Sequence, residues 1–67
     1  MQTYTPENPP ACYLSTSEGL WRLIYQGMPL CADTPERARA EACARQMKVK
    51  PAALWDGEKS RFETLEA

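Results

Sequence analysis

Leu20 to Tyr25 alternates without a break. Trp21, Leu23 and Tyr25 fall on one side, and Leu20, Arg22 and Ile24 on the other. Successive side chains of a strand point to opposite faces, so this run predicts a strand with one face turned to a core. Ala11 to Ser15 predicts a shorter strand before it. Thr16-Ser17-Glu18-Gly19 between them is a turn-forming cluster in which Gly19 supplies a positive φ. Gln26-Gly27 interrupts the pattern after Tyr25. Met28 to Cys31 then reads as a third short strand or as a bent extension of the second. Two strands around a glycine-containing loop make a hairpin.

The period changes from two to 3.6 after Asp33. Thr34 is a good N-cap with Pro35 in the first helical position, where a missing N–H costs nothing. Asp33 is the other cap candidate, with Glu36 closing a capping box. Ala40, Cys43, Ala44 and Met47 share one face, and Arg37, Glu41, Arg45 and Lys48 the other. Glu41 precedes Arg45 by four residues, the favourable order for an ion pair. Lys48 falls in the last turn, where the helix dipole favours a cation. Pro51 is the stop signal, so the helix is expected from Pro35, within one residue, to Lys50, with its basic stretch over residues 37–50. Its contact face is made mostly of small residues. It can therefore lie close to a sheet whose Trp21, Leu23 and Tyr25 supply the bulk.

Ala53-Leu54-Trp55 is a short apolar strand, and Asp56-Gly57 is a strong hairpin-turn pair. Glu58 and Lys59 widen the loop. From Ser60 to Leu65, Phe62 and Thr64 alternate with Arg61, Glu63 and Leu65, which predicts a second hairpin with Glu66 and Ala67 as a frayed end. The expected fold is α+β: a small, mainly antiparallel sheet in the order ββ(β)αββ, with the helix packed across one face. Residues 11–67 form one domain. Residues 1–10, with Pro6, Pro9 and Pro10, form a flexible or extended arm.

Charge changes this picture. The net charge is −1 and the isoelectric point about 5.3. The stretch 37–50 nevertheless carries five basic residues against Glu41 alone, while the rest carries three against eight carboxylates. An acidic protein thus displays one basic helix. The overall balance argues against a generic nucleic-acid coat or a polybasic membrane binder. No apolar run approaches the ~18 residues of a membrane span. Met1-Gln2-Thr3-Tyr4 has neither a basic nor an apolar leader pattern, so a cytoplasmic location is expected. With 67 residues the core is thin, and a homodimer would relieve the shortage.

Cys12, Cys31 and Cys43 are odd in number and widely spaced, which predicts reduced, partly buried thiols. There is no histidine. A Cys3His zinc site is thereby excluded within one chain, and a cysteine or serine nucleophile lacks its usual base. The carboxylates form no paired constellation, and Gly19, Gly27 and Gly57 lie too far apart for a phosphate-cradling loop. No enzyme, cofactor or metal is expected.

What remains is recognition. Arg37, Arg45 and Lys48, flanked by Arg39 and Lys50, suit a solvated face, an acidic protein surface or phosphates. No second helix precedes them to complete a helix-turn-helix. Trp55, beside a hairpin tip, is a candidate interface anchor, and Tyr4 on the arm is another. The expected function is a small non-enzymatic protein-binding module. It would inhibit or modulate a larger host machine, such as a CRISPR effector or polymerase, by steric occlusion, in the manner of phage and mobile-element proteins. The alternatives are a small nucleic-acid-binding regulator using helix 37–50 and a homo-oligomeric assembly protein.

Overall fold

The structure is a computed structural model, which describes residues 4–65. Residues 1–3 of the arm and the expected frayed end, Glu66 and Ala67, lie outside the described residues. The elements in order are β1 (Cys12–Ser17), β2 (Leu20–Tyr25), β3 (Met28–Pro29), α1 (Arg37–Met47), β4 (Ala53–Asp56) and β5 (Arg61–Thr64). This is a small α+β fold with α1 packed across β2.

The hairpin chemistry sets the first three strands. Glu18 and Gly19 have φ of 55° and 77°, and Gln26 and Gly27 have 50° and 82°. Positive φ at both central residues is what a two-residue hairpin turn of type I′ requires. The tight Glu18-Gly19 turn lets β1 run on to Ser17, two residues past the expected end. Met28–Pro29 is a separate strand at the sheet edge, short and closed by a proline that cannot donate.

The strand order is β3-β2-β1-β4-β5. The hairpin pairs β1–β2, β2–β3 and β4–β5 are antiparallel, and β1 pairs with β4 in parallel. A parallel pairing needs a long crossover, which α1 and its flanking loops provide. Leu14 sits opposite Leu23 on one side and Leu54 on the other. These three, with Cys12, Ala40 and Ala44, make the core, and half-buried Trp21 and Tyr25 pack against it. The expected contact of the helix with the Trp21–Leu23–Tyr25 side of β2 is present.

Both helix ends differ from expectation. Neither Asp33 nor Thr34 is the N-cap. Thr34 is held extended by a two-way backbone bridge to Trp21, so the helix starts only after Glu36, which occupies the cap position with φ −112° and ψ 119° and no side-chain cap bond. At the other end α1 stops at Met47, three residues short of Lys50. Lys48 is left-handed (φ 59°, ψ 38°), and Val49 N–H donates 3.0 Å to the Ala44 carbonyl. This is the backbone reversal that glycine usually makes at a helix end. It returns Val49 to the core, and Val49 fills the place expected for Met47, which is 49% exposed.

The expectation of three reduced cysteines is also corrected. Cys31 and Cys43 form a disulfide that ties the loop after β3 to α1, with Cα atoms 6.8 Å apart. Sequence spacing missed the pair because the loop and helix meet only once the sheet forms. Cys12 is free and buried.

Gly57 serves the β4–β5 turn by its size. It lies outside the left-handed region, and its N–H donates 2.8 Å to the Thr16 carbonyl. Asp56 Oδ1 accepts from the N–H groups of Glu58 and Lys59, at 2.9 and 3.1 Å, and closes the turn.

Candidate protein-interaction surface

Four ties fix α1 over β2. Trp21 and Thr34 exchange backbone hydrogen bonds of 2.6 and 3.0 Å. The Arg22 guanidinium grips Asp33 with Nε–Oδ1 2.7 Å and Nη2–Oδ2 2.6 Å. The Cys31–Cys43 bond holds the middle of the helix. The Arg37 guanidinium carbon lies 5.4 Å from the centroid of the Trp21 ring. A cation over an indole face is attracted by the ring quadrupole. The Asp33 carboxyl is held below its usual range first by the hydrogen bond from Arg22, and the Arg22 guanidinium rises for the same reason.

With α1 anchored over β2, a groove opens beside it. It encloses about 310 Å3. Its apolar lining comes from Leu14, Ala44, Val49 and Leu65, and its charged lining from exposed Arg37, Arg45 and Lys50 and half-exposed Glu41. An adjoining hollow of about 470 Å3 includes Tyr4, Cys12, Tyr25 and Lys48 and shares Val49 and Lys50 with the groove. Of the expected site residues, Arg37 and Arg45 therefore line the groove, Arg37 from the start of α1 and Arg45 from its last turn, while Tyr4 and Lys48 line the adjoining hollow.

The basic residues divide into two sets. Arg37 pairs with Glu41 at 3.6 Å, and Arg39 pairs with Glu36 at 2.9 Å. Arg45, Lys48 and Lys50 make no ion pair among the described residues. The favourable spacing of Glu41 before Arg45 is not used, because the Glu41 carboxylate turns to Arg37. Three of the four cations without an ion pair among the described residues thus lie at the C-terminal end of α1, the fourth being Lys59 in the β4–β5 turn.

Trp55 does not join this group. Leu54 faces the helix, so Trp55, its neighbour in the strand, faces away. There it meets Phe62 of β5 at 4.7 Å between ring centroids, and Phe62 meets Tyr13 of β1 edge-on at 5.2 Å. Sequence reasoning missed Tyr13 and Phe62 as its companions. The signal was present in the alternation of Ser60 to Leu65, but joining β1 to β4 required the strand order. Val49 was likewise missed as a lining residue, since the helix was expected to continue through it, and Lys50 was expected only as a flank of the basic set.

The chain matches no known protein family, no curated protein and no solved structure.

Among the described residues no group of three or more cysteine, aspartate or glutamate side chains is placed to hold a metal. Burial pushes the Cys12 thiol up, which favours the inert form over the thiolate. No helix of the described chain is long and apolar enough to cross a membrane. What the groove offers is an apolar lining under unpaired cations, which suits an acidic segment carrying an apolar side chain.

Proposed function

We propose that this chain is a non-enzymatic protein-binding module. It docks an acidic surface of a larger protein against the groove beside α1 and inhibits or modulates that protein by occlusion, as small phage and mobile-element proteins do. The observation that carries the reading is the placement of Arg45, Lys48 and Lys50, which make no ion pair among the described residues, along an apolar-lined groove and the hollow that adjoins it. Charges left uncompensated on a surface speed encounter with an opposite surface and set orientation. The apolar lining supplies the part of the affinity that salt does not screen.

A cytoplasmic site of action is part of the proposal. Reductants there oppose the Cys31–Cys43 bond, and thiol trapping in cells reads whether it is formed. The test of function is affinity capture from the host with the full chain and with an Arg45→Glu/Lys50→Glu variant. The unaltered chain retains one stoichiometric partner and the variant loses it. No stoichiometric partner, or equal retention by the variant, overturns the reading. If the captured species is nucleic acid, and the logarithm of affinity falls steeply with the logarithm of salt, the nucleic-acid-binding regulator replaces it.

A further inference from the structure

The sheet face opposite α1 carries a second surface. The β1–β4 and β4–β5 registers place Tyr13, Trp55 and Phe62 on this face, each half-exposed, beside buried Ile24 and Ala53. The element that meets the aromatic trio is the chain's own arm. Thr5 and Asn8 exchange backbone hydrogen bonds of 3.4 and 3.0 Å, and Thr5 Oγ1 also accepts from the Asn8 N–H, which closes a turn around Pro6 and Glu7. Pro6 and Pro9 border a cavity of about 180 Å3 together with Tyr13, Trp55 and Phe62. Pro10 is buried and lines the hollow that holds Tyr4 and Cys12.

We propose that the Tyr13–Trp55–Phe62 face is a binding site for a proline-rich segment of a partner protein, and that residues 5–10 occupy it in cis as a weak internal ligand. Three observations carry this. The first is chemical: two prolines spaced Pro6-x-x-Pro9 already border the three rings, and aromatic-lined surfaces recognise this spacing because polyproline II is pre-ordered. The second is fit. The Thr5–Asn8 turn folds the arm back, so it presents two prolines at the cavity and leaves the space between them and the rings unfilled. An unbroken polyproline II segment advances about 9 Å per turn. The rings follow one another from Tyr13 to Phe62 at 5.2 Å and from Phe62 to Trp55 at 4.7 Å, which gives such a segment a continuous aromatic surface. The third is hydrogen bonding. Among the described residues neither the Trp55 indole N–H nor the Tyr13 hydroxyl has a protein partner, so both are available to a ligand carbonyl.

The tethered arm competes at an effective concentration on the order of millimolar, so it masks the site from weak ligands. Removing the arm's prolines unmasks it. An arm seated nine-tenths of the time lowers apparent affinity about tenfold.

The experiment is an NMR titration of the full chain with an eight-residue polyproline peptide, following the two indole N–H signals. Trp55 shifts and Trp21, under the helix, does not. The Pro6→Ala/Pro9→Ala variant binds the same peptide about tenfold more tightly. No shift of Trp55 at millimolar peptide in either protein overturns the proposal, as does equal affinity of the two. A Trp55 shift that follows protein concentration without peptide, with a doubled mass by light scattering, means that copies exchange arms, and the partner reading falls. This face lies on the far side of the sheet from the cationic groove, and since Tyr4 and Pro10 of the same arm line the hollow beside that groove, the Arg45→Glu/Lys50→Glu capture, which leaves the arm unaltered, is read separately from the Pro6→Ala/Pro9→Ala titration.

Discussion

Replacing Lys48 by glycine isolates the device that ends α1. Lys48 is left-handed, its N–H donates to the carbonyls of Ala44 and Arg45, and Val49 N–H reaches the Ala44 carbonyl. A residue with a Cβ pays about 1–2 kcal/mol in this conformation, and glycine does not. Glycine in turn adds about 0.4–1 kcal/mol of conformational freedom to the unfolded chain. The difference leaves Lys48→Gly more stable by about 0.5–1 kcal/mol. At about 2.1 cal/mol/K of unfolding entropy per residue, a chain of this length gains roughly 7 °C per kcal/mol, so Tm rises by about 4–7 °C. The control is Lys48→Ala, which removes the charge but keeps the Cβ and should stay within about 0.5 kcal/mol of the parent. Thermal melts by circular dichroism and urea titrations with unchanged slope measure both. A glycine variant no more stable than the alanine variant would refute the reasoning, since it would mean that the αL reversal is not what limits the helix end.

Other perturbations separate the remaining devices. Gly57→Ala sets a Cβ 2.7 Å from the Thr16 carbonyl oxygen and 3.0 Å from Ser17 Cβ, so urea denaturation should show a loss of about 1–3 kcal/mol. A Gly57→Ala protein as stable as the parent contradicts the close approach. The Cys31→Ser/Cys43→Ser variant frees a loop spanning 12 residues of separation and should lose about 3 kcal/mol, a drop that reducing agent reproduces in the parent and not in the variant. Asp33 has a folded pKa below its unfolded value of 3.8, so its contribution is complete above that value and is lost as pH falls through the folded one. The stability gap between the parent and Asp33→Asn should be constant above about pH 5 and close below about pH 4. A gap that stays constant into acid shows that Arg22 does not hold the carboxylate.

Local pattern made the hairpins and the helix face legible. Leu20–Tyr25 alternates because half of it packs on α1, and Ala40 and Ala44 recur at helical spacing because they touch the same sheet. The parallel β1–β4 pair left no such trace, since alternation records which face a residue takes and not which strand lies beside it. The end of α1 was hidden for a different reason. A left-handed lysine carries none of the glycine signal, and Pro51 drew the expected stop three residues too far. That error concealed Val49 as a lining residue of the groove and left Lys50 as a mere flank of the basic set. The shared side of Arg37 and Arg45 was readable from helical spacing, whereas the places of Lys48 and Tyr4 depend on the left-handed helix end and on the path of the arm. Trp55 was readable as a candidate anchor beside a hairpin tip, whereas its place on the face opposite the helix came from the register of β4. Its companions Tyr13 and Phe62 needed the strand order.

The most direct test of the cationic groove is a 15N NMR titration of the full chain with a short acidic peptide carrying one leucine, repeated with a same-charge peptide lacking it. Shifts should map to Ala44, Arg45, Val49, Lys50 and Leu65, be stronger for the leucine peptide, and vanish in the Arg45→Glu/Lys50→Glu protein. Shifts spread evenly over the basic residues, equal for both peptides, would show only nonspecific charge attraction and contradict a built recognition groove.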